Sequence, residues 1–398
     1  MILKISNFIL PWAVNNFLKI LKLKSRDPKL WIFGAWGGDQ YSDNSKYLFE
    51  YVLKHLPHIN AVWITKSQKV KDQLTADNKK CYLYHDPGAR NLRLSAKYVF
   101  FTNGISDFGS YDLCHGAIKV ALWHGIPLKK MAYASNNLKK RDRNPLRLIQ
   151  YLFLKLYNQW QRNVTIATSG KAKDCLVECF EVKPETVLVT GQPRNDALFD
   201  RTMSDRIKRK LNHPLDNKFV LYMPTWRQFK QQDNFLNDIL RKLNGDAAFQ
   251  DRLAAENITL YVKPHPRITT NVQSSGHIVI LENLYEVDSQ ELIAVADVLI
   301  TDYSSVFVDF ALLERPLHFF VPDLEQYQKN ANGLFFSFSE FSEFWFKEYA
   351  DFKSAIINCH QFSDFGLKNS EKVNSIYNDP NLEKGHYCEA VIREIEKL

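Results

Sequence analysis

Two histidines stand where an apolar run gives way to glycine or proline. His124 follows Ile118-Lys119-Val120-Ala121-Leu122-Trp123 and precedes Gly125, with Pro127 two positions further on, and His265 lies in Lys263-Pro264-His265-Pro266. With an unperturbed pKa of about 6.5, an imidazole can take a proton from a hydroxyl at neutral pH. A histidine that merely ends a strand and bonds a nearby carbonyl would look the same locally, so the surroundings must decide. The two prolines around His265 remove amide donors and enforce an extended turn. Lys263 and Arg267 beside it make an anion the natural partner.

A third constellation is Thr301-Asp302-Tyr303-Ser304-Ser305 ahead of VFVDFALLERP, whose helical spacing from Val306 to Leu313 puts both serines at a helix start. Free amides, hydroxyls and the positive end of the dipole there suit a phosphate. Other polar groups at the ends of apolar runs are Thr225 and Arg227 in YMPTWR, Ser169 in TSG, and Arg194 and Asp196 in GQPRND. Neither GxGxxG nor GxxxxGK[ST] occurs, so neither dinucleotide nor P-loop chemistry is indicated.

These residues need strands that end at one level. The sequence supplies a first series, 30–35, 59–66, 97–102, 118–123, 164–169 and 186–191, and a second, 218–225, 258–264, 277–281, 297–302 and 316–321. Nearly continuous Val, Ile, Leu and Phe alternating with helical stretches predicts parallel sheets buried on both faces. The fold class is therefore α/β, with two Rossmann-like domains facing a cleft, spanning 29–200 and 201–398. Each polar group named above falls at the carboxyl end of a predicted strand, where open parallel sheets place their ligands.

The chain has 398 residues, 45% hydrophobic, enough for large cores, and its net charge of +8 favours polyanions. Phosphorylated substrates, nucleic acid and an anionic membrane all meet that condition. The six cysteines form no CxxC pair, and Cys175 and Cys179, four apart, lack the further ligands of a zinc site. No apolar run reaches the roughly 20 residues that span a bilayer. Residues 1–28, beginning MILKISNFILPWAVNNFLKILKLKSR, and the basic insertion 138–162 set aromatic and aliphatic residues against Lys and Arg. Both fit in-plane amphipathic helices or helices packed on the protein's own core.

The combination DNSKYLFEYV, AVWITK, LWHGIPLKKM, TSG, GQPRND, YMPTWR, KPHP and TDYSSVFVDF, in that order over roughly residues 30–330, resembles the CDP-glycerol glycerophosphotransferase family of teichoic-acid primases and polymerases. The resemblance implies a GT-B-like fold and transfer of glycerol phosphate from CDP-glycerol to a hydroxyl of a membrane-linked glycan or polyol-phosphate acceptor, releasing CMP, in teichoic-acid or capsular polymer synthesis. It implies His124 as the catalytic base and His265 as essential at the pyrophosphate. Lys263, Ser304, Ser305, Arg227 and Thr225 are then expected to bind donor phosphates, with Gly125, Ser169, Arg194, Asp196 and Asp302 lining the cleft. No tightly bound cofactor, protein-bound metal or nucleic-acid partner is expected, and a solution Mg2+ requirement stays open. The expected place is the cytoplasmic face of the cell membrane, held peripherally on anionic lipid. Three other readings compete: a ribitol-phosphate transferase using CDP-ribitol, a GT-B nucleotide-sugar glycosyltransferase or epimerase, and a non-catalytic carbohydrate-binding module.

Overall fold

The computed structural model describes residues 26–109, 113–135, 161–227, 235–265, 267–281, 287–330, 333–342, 344–359 and 362–398. The expected amphipathic helix of 1–28 and the insertion 138–162 lie almost wholly outside the described residues.

Two parallel sheets carry the molecule. The first contains β1 (Asp27–Phe33), β2 (Asn60–Thr65), β3 (Cys81–Leu83), β4 (Ala96–Phe101), β5 (Ile118–Ala121), β6 (Val164–Ala167) and β7 (Val187–Val189) in the order β3-β2-β1-β4-β5-β6-β7. The second contains β8 (Lys218–Met223), β9 (Ile258–Val262), β10 (Ile278–Ile280), β11 (Val298–Thr301), β12 (Leu317–Phe320) and β13 (Trp345–Phe346) in the order β10-β9-β8-β11-β12-β13. Both orders run outward from the first strand and then restart on its other side, which is the doubly wound arrangement. The expected strands are all present, each ending earlier than expected, while β1 and β4 begin earlier, at Asp27 and Ala96. β3 and β13 were not foreseen, because edge strands of two or three residues carry too short an apolar run to read.

The reason these segments form strands is visible in their burial. Phe33, Val99, Phe100, Val220, Leu221, Leu260, Leu299 and Phe319 have no exposed surface, since helices cover both faces of each sheet. Phe33 stacks on Phe100 at 4.6 Å between ring centroids, and Phe219 on Tyr261 at 3.9 Å. The chain end then crosses back: Cys388, Val391, Ile392 and Ile395 of the helix Tyr387–Ile395 pack into the core of the first sheet. The expectation that 201–398 forms one domain did not anticipate this return. Its apolar face reads as an ordinary amphipathic helix, and the sequence does not say which sheet that face meets.

Candidate active site

On the second sheet the order reverses between β8 and β11, and their carboxyl ends are tied by one carboxylate. Asp302, fully buried, accepts hydrogen bonds from the backbone N–H of Thr225 at 2.9 Å and of Tyr303 at 2.6 Å, and pairs with the Arg227 guanidinium. Arg227 also places Nε and Nη2 on the two oxygens of Asp323, each at 3.0 Å, and donates Nη1 to the Thr225 carbonyl at 2.6 Å. It is 3% exposed. A guanidinium so fully used serves the scaffold, and the expectation that Arg227 binds donor phosphate is corrected on that ground. Thr225 differs, for its buried Oγ1 has no hydrogen-bond partner among the described residues.

Beyond β9 stands the KPHP turn. Burial pulls the Lys263 ammonium below its ordinary pKa, with Asp288 opposing, and it makes no ion pair among the described residues. His265 is pushed down to about 4, first by burial and then by Arg267, Lys129 and Lys263, against the pull of Asp302. It is therefore neutral at pH 7. The backbone N–H of Arg267 donates to its Nδ1 at 3.2 Å, which leaves the proton on Nε2 as a hydrogen-bond donor. The Trp226 ring faces the imidazole, and the Arg267 guanidinium lies 4.8 Å from the centre of that indole.

Ser304 and Ser305 do open a helix, Val306–Ala311, but it has only six residues. Its dipole is correspondingly small, so hydroxyls and local amides are what this turn offers. Ser304 Oγ accepts from Val306 N at 3.5 Å, whereas Ser305 makes no side-chain cap.

The first sheet supplies the opposing wall. β5 was expected to run to Trp123, yet it ends at Ala121 because Trp123 takes a left-handed φ of 56° and turns the chain out of the sheet. That turn delivers His124. Its imidazole lies 4.2 Å from the Trp123 ring and 5.0 Å from that of Trp36, and its buried Nδ1 has no hydrogen-bond partner among the described residues. Burial holds its pKa below the ordinary value, outweighing the Asp43 carboxylate that raises it, with Arg194 adding to the depression. A backbone hydrogen bond to Thr102 also raises it, and a neutral imidazole whose Nδ1 is left free is what a general base requires.

Next to it Gly125 has φ of 142°, a region open to glycine, and a Cβ there would meet Ser305 Oγ at 2.6 Å. His124 on one sheet and Ser305 on the other are thus brought to the same point across the cleft.

A buried network fixes this approach. Arg194 donates to Asp43 Oδ1 at 2.9 Å and to the His124 carbonyl at 3.1 Å from Nη1, and to Asp309 Oδ2 at 2.7 Å from Nη2. Asp309 belongs to the helix begun by Ser305, so one guanidinium clamps the two domains. Burial raises the Asp309 pKa and the Arg194 charge opposes that rise. Asn44, with no exposed surface, donates Nδ2 to the carbonyls of Leu122 at 3.1 Å and Trp123 at 3.0 Å while its Oδ1 accepts from Arg194 N at 3.1 Å. The DNS and PRN residues are therefore the holders of the histidine loop.

Two expected cleft residues serve elsewhere. Ser169 caps the helix Gly170–Phe180 by accepting from Ala172 N at 3.2 Å and donates to the Ile376 carbonyl at 3.1 Å. Asp196 spends both oxygens on the backbone N–H groups of Tyr387 at 2.7 Å and Cys388 at 2.9 Å, capping the returning helix. Neither is placed to meet a ligand. In the other direction, Lys129 was overlooked as a site residue. The segment 128–130 pairs with 333–335, Phe335 N donating to the Leu128 carbonyl at 3.0 Å and Lys130 N to the Gly333 carbonyl at 2.8 Å. This carries Lys129 from the histidine loop to the second domain, its ammonium 4.8 Å from the centre of the Tyr327 ring. Burial lowers its pKa while Asp302 raises it. Its nearness in sequence to His124 was the available signal.

Comparison with known proteins follows the same lines. The family model described as CDP-Glycerol:Poly(glycerophosphate) glycerophosphotransferase matches residues 16–397. The teichoic acid poly(glycerol phosphate) polymerase of Bacillus spizizenii is 28% identical over 396 residues, covering 95% of this chain and 94% of that protein. The protein of that description from Staphylococcus epidermidis is 28% identical over 330 residues, and the match spans 79% of this chain but only 43% of the relative. A solved structure of the wall teichoic acid polymerase TagF, a variant soaked with CDPG, aligns with TM-score 0.73 at 22% identity over 99% of this chain and 98% of that one. The likeness of fold extends over both domains.

Proposed function

This chain belongs to the CDP-glycerol:poly(glycerophosphate) glycerophosphotransferase family, and on that premise we propose that it transfers glycerol phosphate from CDP-glycerol to an acceptor hydroxyl, with release of CMP. The observation that carries this reading is the close approach of Gly125, the residue after His124, to Ser305 across the cleft between the two domains. A base on one domain then faces a phosphate site on the other.

In this reading the donor diphosphate lies along Lys263, His265, Ser304, Ser305 and the hydroxyl of Thr225. His124 removes the proton from the acceptor hydroxyl, whose oxygen attacks the β-phosphorus. As that O–P bond forms, the bond from the β-phosphorus to the bridging oxygen breaks, and CMP leaves with the oxygen. Lys263 and Lys129 supply positive charge, and the Nε2–H of His265 donates to a phosphate oxygen. The acceptor is a lipid-linked glycan or polyol-phosphate chain in teichoic-acid or capsular polymer synthesis.

Incubation with CDP-glycerol, CDP-ribitol and UDP-sugars, each with a polyol-phosphate acceptor, tests the reading. CMP released from CDP-glycerol in preference to CDP-ribitol supports it. A nucleoside diphosphate product, or none, overturns it.

A peripheral place on the cytoplasmic membrane face completes the proposal. No helix among the described residues is long and apolar enough to cross a membrane. Each basic residue of 1–28 near an anionic leaflet contributes about 1 kcal/mol. Deleting 1–28 should reduce co-sedimentation with anionic vesicles and slow transfer to a lipid-linked acceptor more than to a soluble one. Equal sedimentation of both forms would end this part of the reading.

A further inference from the structure

Trp36 opens the loop after β1, and the first sheet reverses its order between β1 and β4. The crevice outside those two strand ends is where a doubly wound sheet receives a ligand. The donor, in the reading above, belongs to the other domain, so this crevice needs a different occupant.

Its geometry is held at some cost. Trp36 has φ of 50° and Trp123 φ of 56°, a left-handed conformation that a bulky side chain rarely takes, and Asp43 beside them has φ of 62°. Three of the nine non-glycine residues of positive φ among the described residues therefore cluster around one histidine. Strain of this kind persists where surrounding bonds over-determine it. Here Trp36 N donates to Thr102 Oγ1 at 3.0 Å and Gly37 N to Asp107 Oδ1 at 2.7 Å, while Asp107 Oδ2 accepts from the N–H groups of Thr102 at 3.0 Å and Asn103 at 3.1 Å.

The two indoles differ. Trp123 is braced from behind by Phe180, edge to face at 4.9 Å, and serves the loop. Trp36 is half-buried, lies 5.0 Å from the His124 ring, and its indole N–H makes no hydrogen bond among the described residues. An aromatic face with a spare donor suits the C–H surface and hydroxyl oxygens of a polyhydroxylated molecule. Asn103, on the loop after β4, adds a buried Oδ1 without a partner among the described residues, an atom of the kind a ligand hydroxyl satisfies.

Resting on the transfer reading, we infer that Trp36 seats the acceptor: its indole face receives the polyol or sugar unit that bears the attacking hydroxyl and holds that hydroxyl at His124. Trp36 thereby acts as a positioning residue that selects the acceptor, independent of the donor.

The full chain carrying Trp36→Ala or Trp36→Phe tests this. CMP release from CDP-glycerol would be followed against two soluble acceptors, a glycerol-phosphate oligomer and a disaccharide glycoside, with donor affinity measured by calorimetry using CDP-glycerol. The alanine variant should raise the KM of the acceptor that is used by about tenfold, the phenylalanine variant by about threefold or less because the ring remains, and both should keep donor affinity within about twofold. The acceptor whose KM moves identifies whether the seat takes a polyol chain or a glycan. Unchanged acceptor KM in the alanine variant overturns the inference alone, as does equal loss of donor affinity, which would make Trp36 structural. No CMP from wild-type protein with either acceptor would bring down the transfer reading and this inference with it.

Discussion

Gly125 packs so closely against Ser305 that a single methyl group on it would come within 2.6 Å of the serine oxygen. The first residue follows the histidine of one domain, and the second begins a helix of the other. Gly125→Ala would strain a backbone φ of 142° and push the two walls apart. A displacement of about 1 Å at reacting groups costs about 10²-fold in rate. The expected result is that loss in kcat together with a modest loss of thermal stability from the strained backbone, and a variant with wild-type turnover would show that the walls need not meet.

His124→Ala should lower CMP release by about 10²–10⁴-fold, the usual contribution of a general base. Donor affinity should stay within about twofold. Because only the neutral imidazole accepts a proton and burial depresses its pKa, activity should be level from neutral pH upward and fall as pH drops below 6.5. Turnover above a tenth of wild type, or an acid limb centred above 6.5, would remove His124 from this role.

Lys129→Ala should weaken CDP-glycerol binding roughly 10- to 100-fold, since hydrogen bonds to charged groups contribute about 1.5–3 kcal/mol. Lys130→Ala is the control, its ammonium lying 3.7 Å from Glu178. Calorimetry at two salt concentrations checks this, and equal affinities of the two variants would place the donor away from Lys129.

Arg194→Ala would leave Asp43 and Asp309, 9% and 2% exposed, without their shared cation. Breaking a buried pair in this way costs about 3–5 kcal/mol. Urea unfolding should register a loss of that size, with Asp309→Asn losing less because the amide still accepts a hydrogen bond. A loss below about 1 kcal/mol would mean that water reaches the network.

Much of this molecule was legible before folding. A parallel strand buried on both faces must be apolar throughout, so its limits show in the sequence, and the polar residues just past Val189, Met223, Val262 and Thr301 had to emerge at the ligand end of a sheet. That rule is enough to single out His124 and His265 as candidates, whereas the roles expected of them came from the family resemblance. What the sequence withheld was how polar residues pair across distance. Arg227, expected on phosphate, and Arg194, expected to line the cleft, look equally available in one dimension, but Asp43 and Asp309 claim Arg194, and Asp302 and Asp323 claim Arg227. Asp196 and Ser169 likewise became caps because the chain end returned to meet them. Lys129 was hidden for the converse reason, since only the pairing of 128–130 with 333–335 brings it to the other domain. Periodicity sets which residues a strand end presents, whereas the neighbour that uses up or frees each charge is chosen by contacts hundreds of residues apart, which local sequence does not encode.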